Sequence, residues 1–220
     1  VLGGGFPGEP YRQPDPMRPY VEDAANDPAA LKIAMVTAAP DHGTPVDPQV
    51  VAAVEASGEL LQSLGHTVEA KALPCDFWPL YTNYVDVIAA QTVSFIDAMA
   101  EMVGRAVTAD DMANLYWTMI ERGRTFSGAD HSNHIETVRQ LTCNMVAEMD
   151  SYDVWLMPTL PMLPREHGYY DMSLDVQTYD ATRMGPDCCF TAPFNASGAP
   201  GVSLPLGWSR EGWPIGVQCV

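Results

Sequence analysis

Three short apolar runs constrain this chain most: Asp153-Val-Trp-Leu-Met-Pro-Thr159, Pro193-Phe-Asn-Ala-Ser-Gly-Ala-Pro-Gly-Val-Ser-Leu-Pro-Leu-Gly207 and Gly212-Trp-Pro-Ile-Gly-Val-Gln-Cys219. They show little polar alternation and are punctuated by Gly and Pro, the pattern of strands buried on both faces of a sheet. Strands are expected near 153–157, 201–205 and 215–219, with a long loop between the first two. Such a sheet needs helices to cover it.

The upstream sequence supplies them. Leu31-Lys-Ile-Ala-Met-Val36 alternates as a strand does. Asp47-Pro48 then gives an N-cap and first-turn pair to a helix whose Val50, Val54, Leu61 and Leu64 recur at helical spacing until Gly65. His66–Leu73 reads as a second strand, so residues 31–73 have the length of a right-handed parallel crossover. From about 83 to 150 three helices are expected to pack as a layer. Their apolar faces are Val85, Ile88, Thr92, Phe95, Ile96 and Met99; then Met112, Leu115, Tyr116 and Met119; then Ile135, Val138, Leu141, Met145 and Met149. Thr108 with Asp111 and Ser127 with Asp130 are capping-box starts that use Asp in place of Glu. The methionines of this region read as gap-filling core. The fold class is α/β: a mixed sheet with covering helices. Residues 1–30 hold Pro7, Pro10, Pro14, Pro16, Pro19 and Pro28, and form an extended connector that must lie against something; residues 31–220 form the α/β part.

With 47% apolar residues in 220, the chain fills a core. Its formal net charge of −17 repels phosphate backbones and anionic lipid, which argues against nucleic-acid and membrane partners and disfavours acidic substrates at long range. No run of eighteen apolar residues is free of charge, Pro or Gly. The five cysteines, Cys75, Cys143, Cys188, Cys189 and Cys219, are odd in number and sit mostly among apolar neighbours, which suits free thiols in the cytoplasm.

Order and spacing of several segments resemble the C-terminal part of the amidase signature family: Gly8-Glu-Pro-Tyr11, Leu31-Lys-Ile-Ala34, Thr44-Pro-Val-Asp-Pro48, Leu64-Gly-His-Thr-Val68, Ser151-Tyr-Asp-Val154 through Pro158-Thr159, and Asn195-Ala-Ser-Gly-Ala-Pro200. Within that family the resemblance is nearest to the bacterial branch that includes 6-aminohexanoate cyclic dimer hydrolase. It implies carboxamide hydrolysis through a Ser–Ser–Lys centre, a small-molecule amide substrate and no cofactor. That centre is not found in this chain. Gly3-Gly4-Gly5 is the only Gly run and has no Ser, and neither lysine, Lys32 nor Lys71, has the family's setting. The resemblance therefore implies that an N-terminal catalytic half is the missing partner, that no catalytic residue lies here, and that the segment alone is inactive. By the same resemblance Phe190, Phe194 and Asn195 are the candidates for a wall of the substrate pocket.

Other constellations carry less. His131 and His134 with Asp130 and Glu136 could reach one cation, but the spacing is not that of a zinc helix, and no metal site is assigned. Asp130 is better explained as the acid of a helix first turn. Cys188-Cys189 reads as a pair of structural thiols. Cys219-Val220 ends the sequence where a turn and covering helix are expected, and if the strands near 153–157 and 215–219 flank absent ones, their unpaired groups predict self-association. The alternative reading is a stand-alone, non-catalytic binding module derived from an amidase.

Overall fold

The computed structural model describes residues 5, 7–8, 16–41 and 43–220. Gly3-Gly4 and most of Gly8–Tyr11 lie outside them. Within the described connector Pro19 starts one helical turn, α1 (Tyr20–Asp23), and residues 16–30 are exposed throughout.

A parallel crossover follows: β1 (Lys32–Met35), α2 (Pro48–Ser63) and β2 (Thr67–Ala70). The Asp47 side chain accepts from Gln49 N–H at 2.7 Å, so one orphan donor of the first turn is satisfied as the Asp-Pro pair predicts. Gly65, at φ +96°, leaves the helix in a conformation that costs a β-carbon dearly.

The helical layer comprises α3 (Phe77–Val103), α4 (Asn114–Arg124) and α5 (Gly128–Met149). α3 starts earlier than the expected 83, because Pro79 falls in its first turn, where the missing N–H costs nothing. Both capping boxes form: Thr108 N–H donates to Asp111 Oδ2 at 2.9 Å, and Ser127 and Asp130 exchange bonds of 2.9 and 3.2 Å. Phe95 is exposed, whereas Thr92, Ile96 and Met99 of the same expected apolar face of α3 are half-buried.

β3 (Val154–Pro158) leads into residues 159–201, where the expected loop is irregular up to 175 and then largely helical over 176–197. α6 (Val176–Tyr179), a π-turn segment Asp180–Met184, α7 (Gly185–Asp187) and α8 (Ala192–Ser197) follow in succession. The chain closes with β4 (Val202–Trp208) and β5 (Pro214–Cys219).

The sheet order is β2-β1-β3-β5-β4, parallel over the first three strands and antiparallel thereafter. Side chains alternate across it. Ile33, Leu156, Ile215 and Val217 meet Val50 and Val54 of α2; Ala34, Trp155 and Met157 meet Phe77 and Tyr81 of α3, Met145 and Met149 of α5, and Phe190 and Phe194. Two expectations are corrected here. The strands at 153–157 and 215–219 are interior and pair with each other, so the sheet edges are β2 and β4. And β4 is not buried on both faces: Val202, Leu204, Leu206 and Trp208 are 41–71% exposed, and along this edge strand only Gly207, set against Ala53 of α2, is half-buried.

Candidate functional site

Phe190 and Phe194, set as candidate pocket residues, pack in the core at 0% and 6% exposure and present no surface to a cavity. Asn195 differs. It sits at the exposed end of α8 and lines a cavity of about 310 Å³ between the helical layer and the 176–195 segment. Tyr81, Tyr84, Val85 and Ile88 of α3 form one wall, Leu115, Tyr116 and Met119 of α4 a second, and Tyr179, Asp180, Met184 and Cys188 a third. Its size and apolar lining suit a small ligand. Helical spacing makes the first two walls, since 81, 84, 85 and 88, and likewise 115, 116 and 119, fall on one face of their helices. Met119 thus faces the cavity, whereas Met145 and Met149 are core as expected.

The third wall contains a feature the sequence did not announce. The π-turn at Asp180–Met184 widens the helix, a distortion found often at functional sites, and carries Asp180 onto the cavity. Tyr81 Oη donates to Asp180 Oδ1 at 3.1 Å. No described residue hydrogen-bonds Oδ2, which is not enclosed by protein. Burial raises the Asp180 carboxyl above its usual range, against the pull of the Tyr81 hydroxyl and of the Arg122 charge. Arg122 itself is committed to Asp86 at 2.6 Å, with His134 Nδ1 3.9 Å from the same carboxylate. The Tyr81 hydroxyl is pushed up by burial, and the Cys188 thiol is pushed up to about 12 for the same reason, so both stay neutral and neither is a nucleophile at neutral pH.

A second cavity, of about 340 Å³, opens where residues 159–165 leave β3 beside Ile215 and Gly216. Its charges are closed on one another: Arg165 donates two bonds to Asp187, at 2.9 and 2.6 Å, and Tyr170 Oη donates a third at 2.9 Å. This network fixes the loop and leaves no free charge to meet a ligand.

The remaining candidates are structural in their surroundings. His134 Nδ1 lies 2.8 Å from Asn83 Oδ1, and Asp130 is held in its capping box, so the two do not converge on a cation; no group of three or more metal-ligating side chains occurs among the described residues. All five cysteines are free, and Cys189 is fully buried, its thiol pushed up by burial. Lys32 and Lys71 share one surface cluster, 4.3 and 5.6 Å from the Tyr152 ring centre, and both reach Glu69, at 3.9 and 3.6 Å. Hydrogen bonding to Tyr152 raises the Lys71 ammonium above its ordinary value, the opposite of what a lysine base needs. No helix among the described residues is long and apolar enough to cross a membrane.

A mixed sheet with helices on its faces and an apolar cavity beside it defines the protein as α/β. The Amidase family model matches residues 6–220, and the chain belongs to that family. It is 29% identical over 231 residues to 6-aminohexanoate-cyclic-dimer hydrolase of Paenarthrobacter ureafaciens, covering 100% of this chain and 46% of that protein. The structure of 6-aminohexanoate cyclic dimer hydrolase complexed with substrate superposes with a TM-score of 0.87 at 28% identity, over 99% of this chain and 46% of that one. A bacterial aryl acylamidase of the amidase signature family shares the fold, at TM-score 0.69 and 20% identity, over 86% and 40% of the two chains. The chain therefore spans about half the length of the relatives it matches.

Proposed function

We propose that these residues are the C-terminal portion of an amide hydrolase whose Ser–Ser–Lys centre lies outside them. In the whole enzyme a serine takes the acyl group, the amide C–N bond breaks, the amine leaves with a proton, and water then releases the acid. The portion described here contributes sheet strands, the helical layer and the aromatic–methionine cavity as one wall of the substrate site, with Asn195 at its rim. Phe190 and Phe194 support that wall from behind. The observation that carries the reading is coverage: the whole chain aligns, yet it accounts for 46% of the relative. The setting of the lysines supports it, since both are exposed and paired with a carboxylate.

The partner is an upstream catalytic half, and the exposed β4 edge and the exposed connector are the surfaces it would cover. Without it, the same edge favours self-association. Five free cysteines fit a cytoplasmic setting.

Two measurements test this. The purified 220-residue chain is expected to hydrolyse no simple amide or anilide and to take up no serine-directed phosphonate. The coding frame upstream is expected to continue into a Gly/Ser-rich segment and a lysine. Robust turnover by the chain alone, or stoichiometric labelling of one of its own serines, overturns the proposal.

A further inference from the structure

The cavity beside Asp180 has a chemical bias that the amide-hydrolase reading does not require. Among its lining residues Asp180 is the sole charged group; no Lys, Arg or His lines it. One carboxylate oxygen is occupied by Tyr81, and the other is without a partner among the described residues and open to space. The nearest guanidinium, Arg122, is spent on Asp86, so the Asp86–Arg122–Asp180 group keeps a net negative charge. Asp180 also borders a smaller recess that Arg122 lines, where that guanidinium, bonded to Asp86, offsets the Asp180 charge only in part.

The rings of Tyr81, Tyr84, Tyr116 and Tyr179 line the same cavity, together with Met119 and Met184. Aromatic faces attract cations, and thioethers fill space around an alkyl chain. An anion would meet a carboxylate that Tyr81 and Arg122 offset only in part, in a half-buried site where repulsion is weakly screened. The net charge of −17 acts in the same direction at long range.

We propose that this cavity binds the ammonium end of an alkyl or arylalkyl primary amine, with Asp180 Oδ2 accepting from the ammonium and the tyrosines flanking it. This rests on reading the cavity as a wall of the substrate site. It adds the substrate class: amides whose acyl or amine part carries a second, protonated amine, or the amine product of such an amide. Asn195, with a donor and an acceptor at the rim, is placed to meet the neutral amide end of the same molecule.

The test compares three probes of one length on the 220-residue chain, hexylammonium, 1-hexanol and hexanoate, by methyl NMR of Met119 and Met184. Hexylammonium is expected to bind about tenfold more tightly than 1-hexanol, with hexanoate weakest, the size of one charge-assisted hydrogen bond. Asp180→Asn is expected to erase the difference between amine and alcohol while leaving the alcohol unchanged. Should that variant fail to fold, 0.5 M salt on the unaltered chain is expected to narrow the gap. Equal binding of amine and alcohol, or a gap that survives Asp180→Asn or resists salt, overturns the ammonium assignment and leaves the apolar site intact. Failure of all three probes to bind overturns both. The hydrolase assignment stands or falls separately, on the phosphonate and coding-sequence results.

Discussion

Gly123 holds α4 against α3, and replacing it with alanine should be costly despite the better helix propensity of alanine. A β-carbon built there falls 2.3 Å from the Ala89 carbonyl oxygen, 2.7 Å from its carbon and 2.8 Å from Val93 Cγ2. Ordinary contact begins at 3.4 Å, and two of the three atoms are backbone, which no rotamer change removes. The helices must part by about 1 Å, at a cost near the upper end of the ~1–3 kcal/mol typical of overpacking. Alanine returns ~0.5–1 kcal/mol of helix propensity, so the net loss is about 2 kcal/mol. Urea unfolding followed by tryptophan fluorescence should show the midpoint of Gly123→Ala falling by about 1 M at an m-value near 2 kcal/mol/M. Gly128→Ala is the control: it sits in the first turn of α5 with nothing within 4 Å of the added carbon, and should be neutral or slightly stabilising. A midpoint for Gly123→Ala at or above that of the parent would refute the close-packing argument. The same separation would widen the cavity, because Leu115, Tyr116 and Met119 ride on α4 while Val85 and Ile88 ride on α3.

Three further outcomes follow from the structure. Ser127→Ala should cost about 1 kcal/mol as a lost N-cap, and NMR titration should find the Asp130 carboxyl, held low first by its bond with the Ser127 side chain, moving up toward its ordinary value. Since the folded value is depressed, the stabilisation from Asp130 is complete above the unfolded value of about 3.9 and fades as pH falls through the folded one; a wild-type Asp130 that titrates at or above 3.9 contradicts this. Iodoacetamide at pH 8, read by peptide mass mapping, should modify exposed Cys143 first and spare Cys189, whose thiol is fully buried; equal rates would mean that the α8 region opens freely. Leu204→Lys places a charge on the exposed edge strand and should lower the apparent mass in light scattering if copies associate through β4. An unchanged distribution would move the contact elsewhere.

Local chemistry made much of the fold legible. Asp47-Pro48, Gly65 and the Ser127–Asp130 box each act within a few residues and mark real helix ends, whereas the Thr108–Asp111 box caps only a 3-10 turn at Ala109–Asp111, and α4 begins after Met112, at Asn114. What escaped the sequence was set by tertiary context. Residues 176–197 read as loop because Gly185, Pro186 and Pro193 interrupt any helical period, yet each proline falls in the first turn of a short helix. β4 has the composition of a buried strand, but it takes the edge of the sheet with only Gly207 set against α2, and composition does not say which strand takes the edge. Around the cavity, the helical faces through Val85, Ile88, Leu115, Tyr116 and Met119 were readable as apolar faces, though not as cavity walls. Asp180 was not, since its placement depends on a π-turn that leaves no mark in composition.

The position of β3 has a kinetic consequence. Its partner β1 lies far back in the chain, with the Lys32 amide bonded to Asp153 Oδ2 across 121 residues, whereas β4 and β5 are joined by a short turn. On refolding the β4–β5 hairpin can close locally, but the seam between the parallel and antiparallel strands must wait for the helical layer to bring distant segments together. The slow step of folding should therefore be the docking of β3 between β1 and β5, and Trp155, buried on that strand, is the natural reporter of its rate.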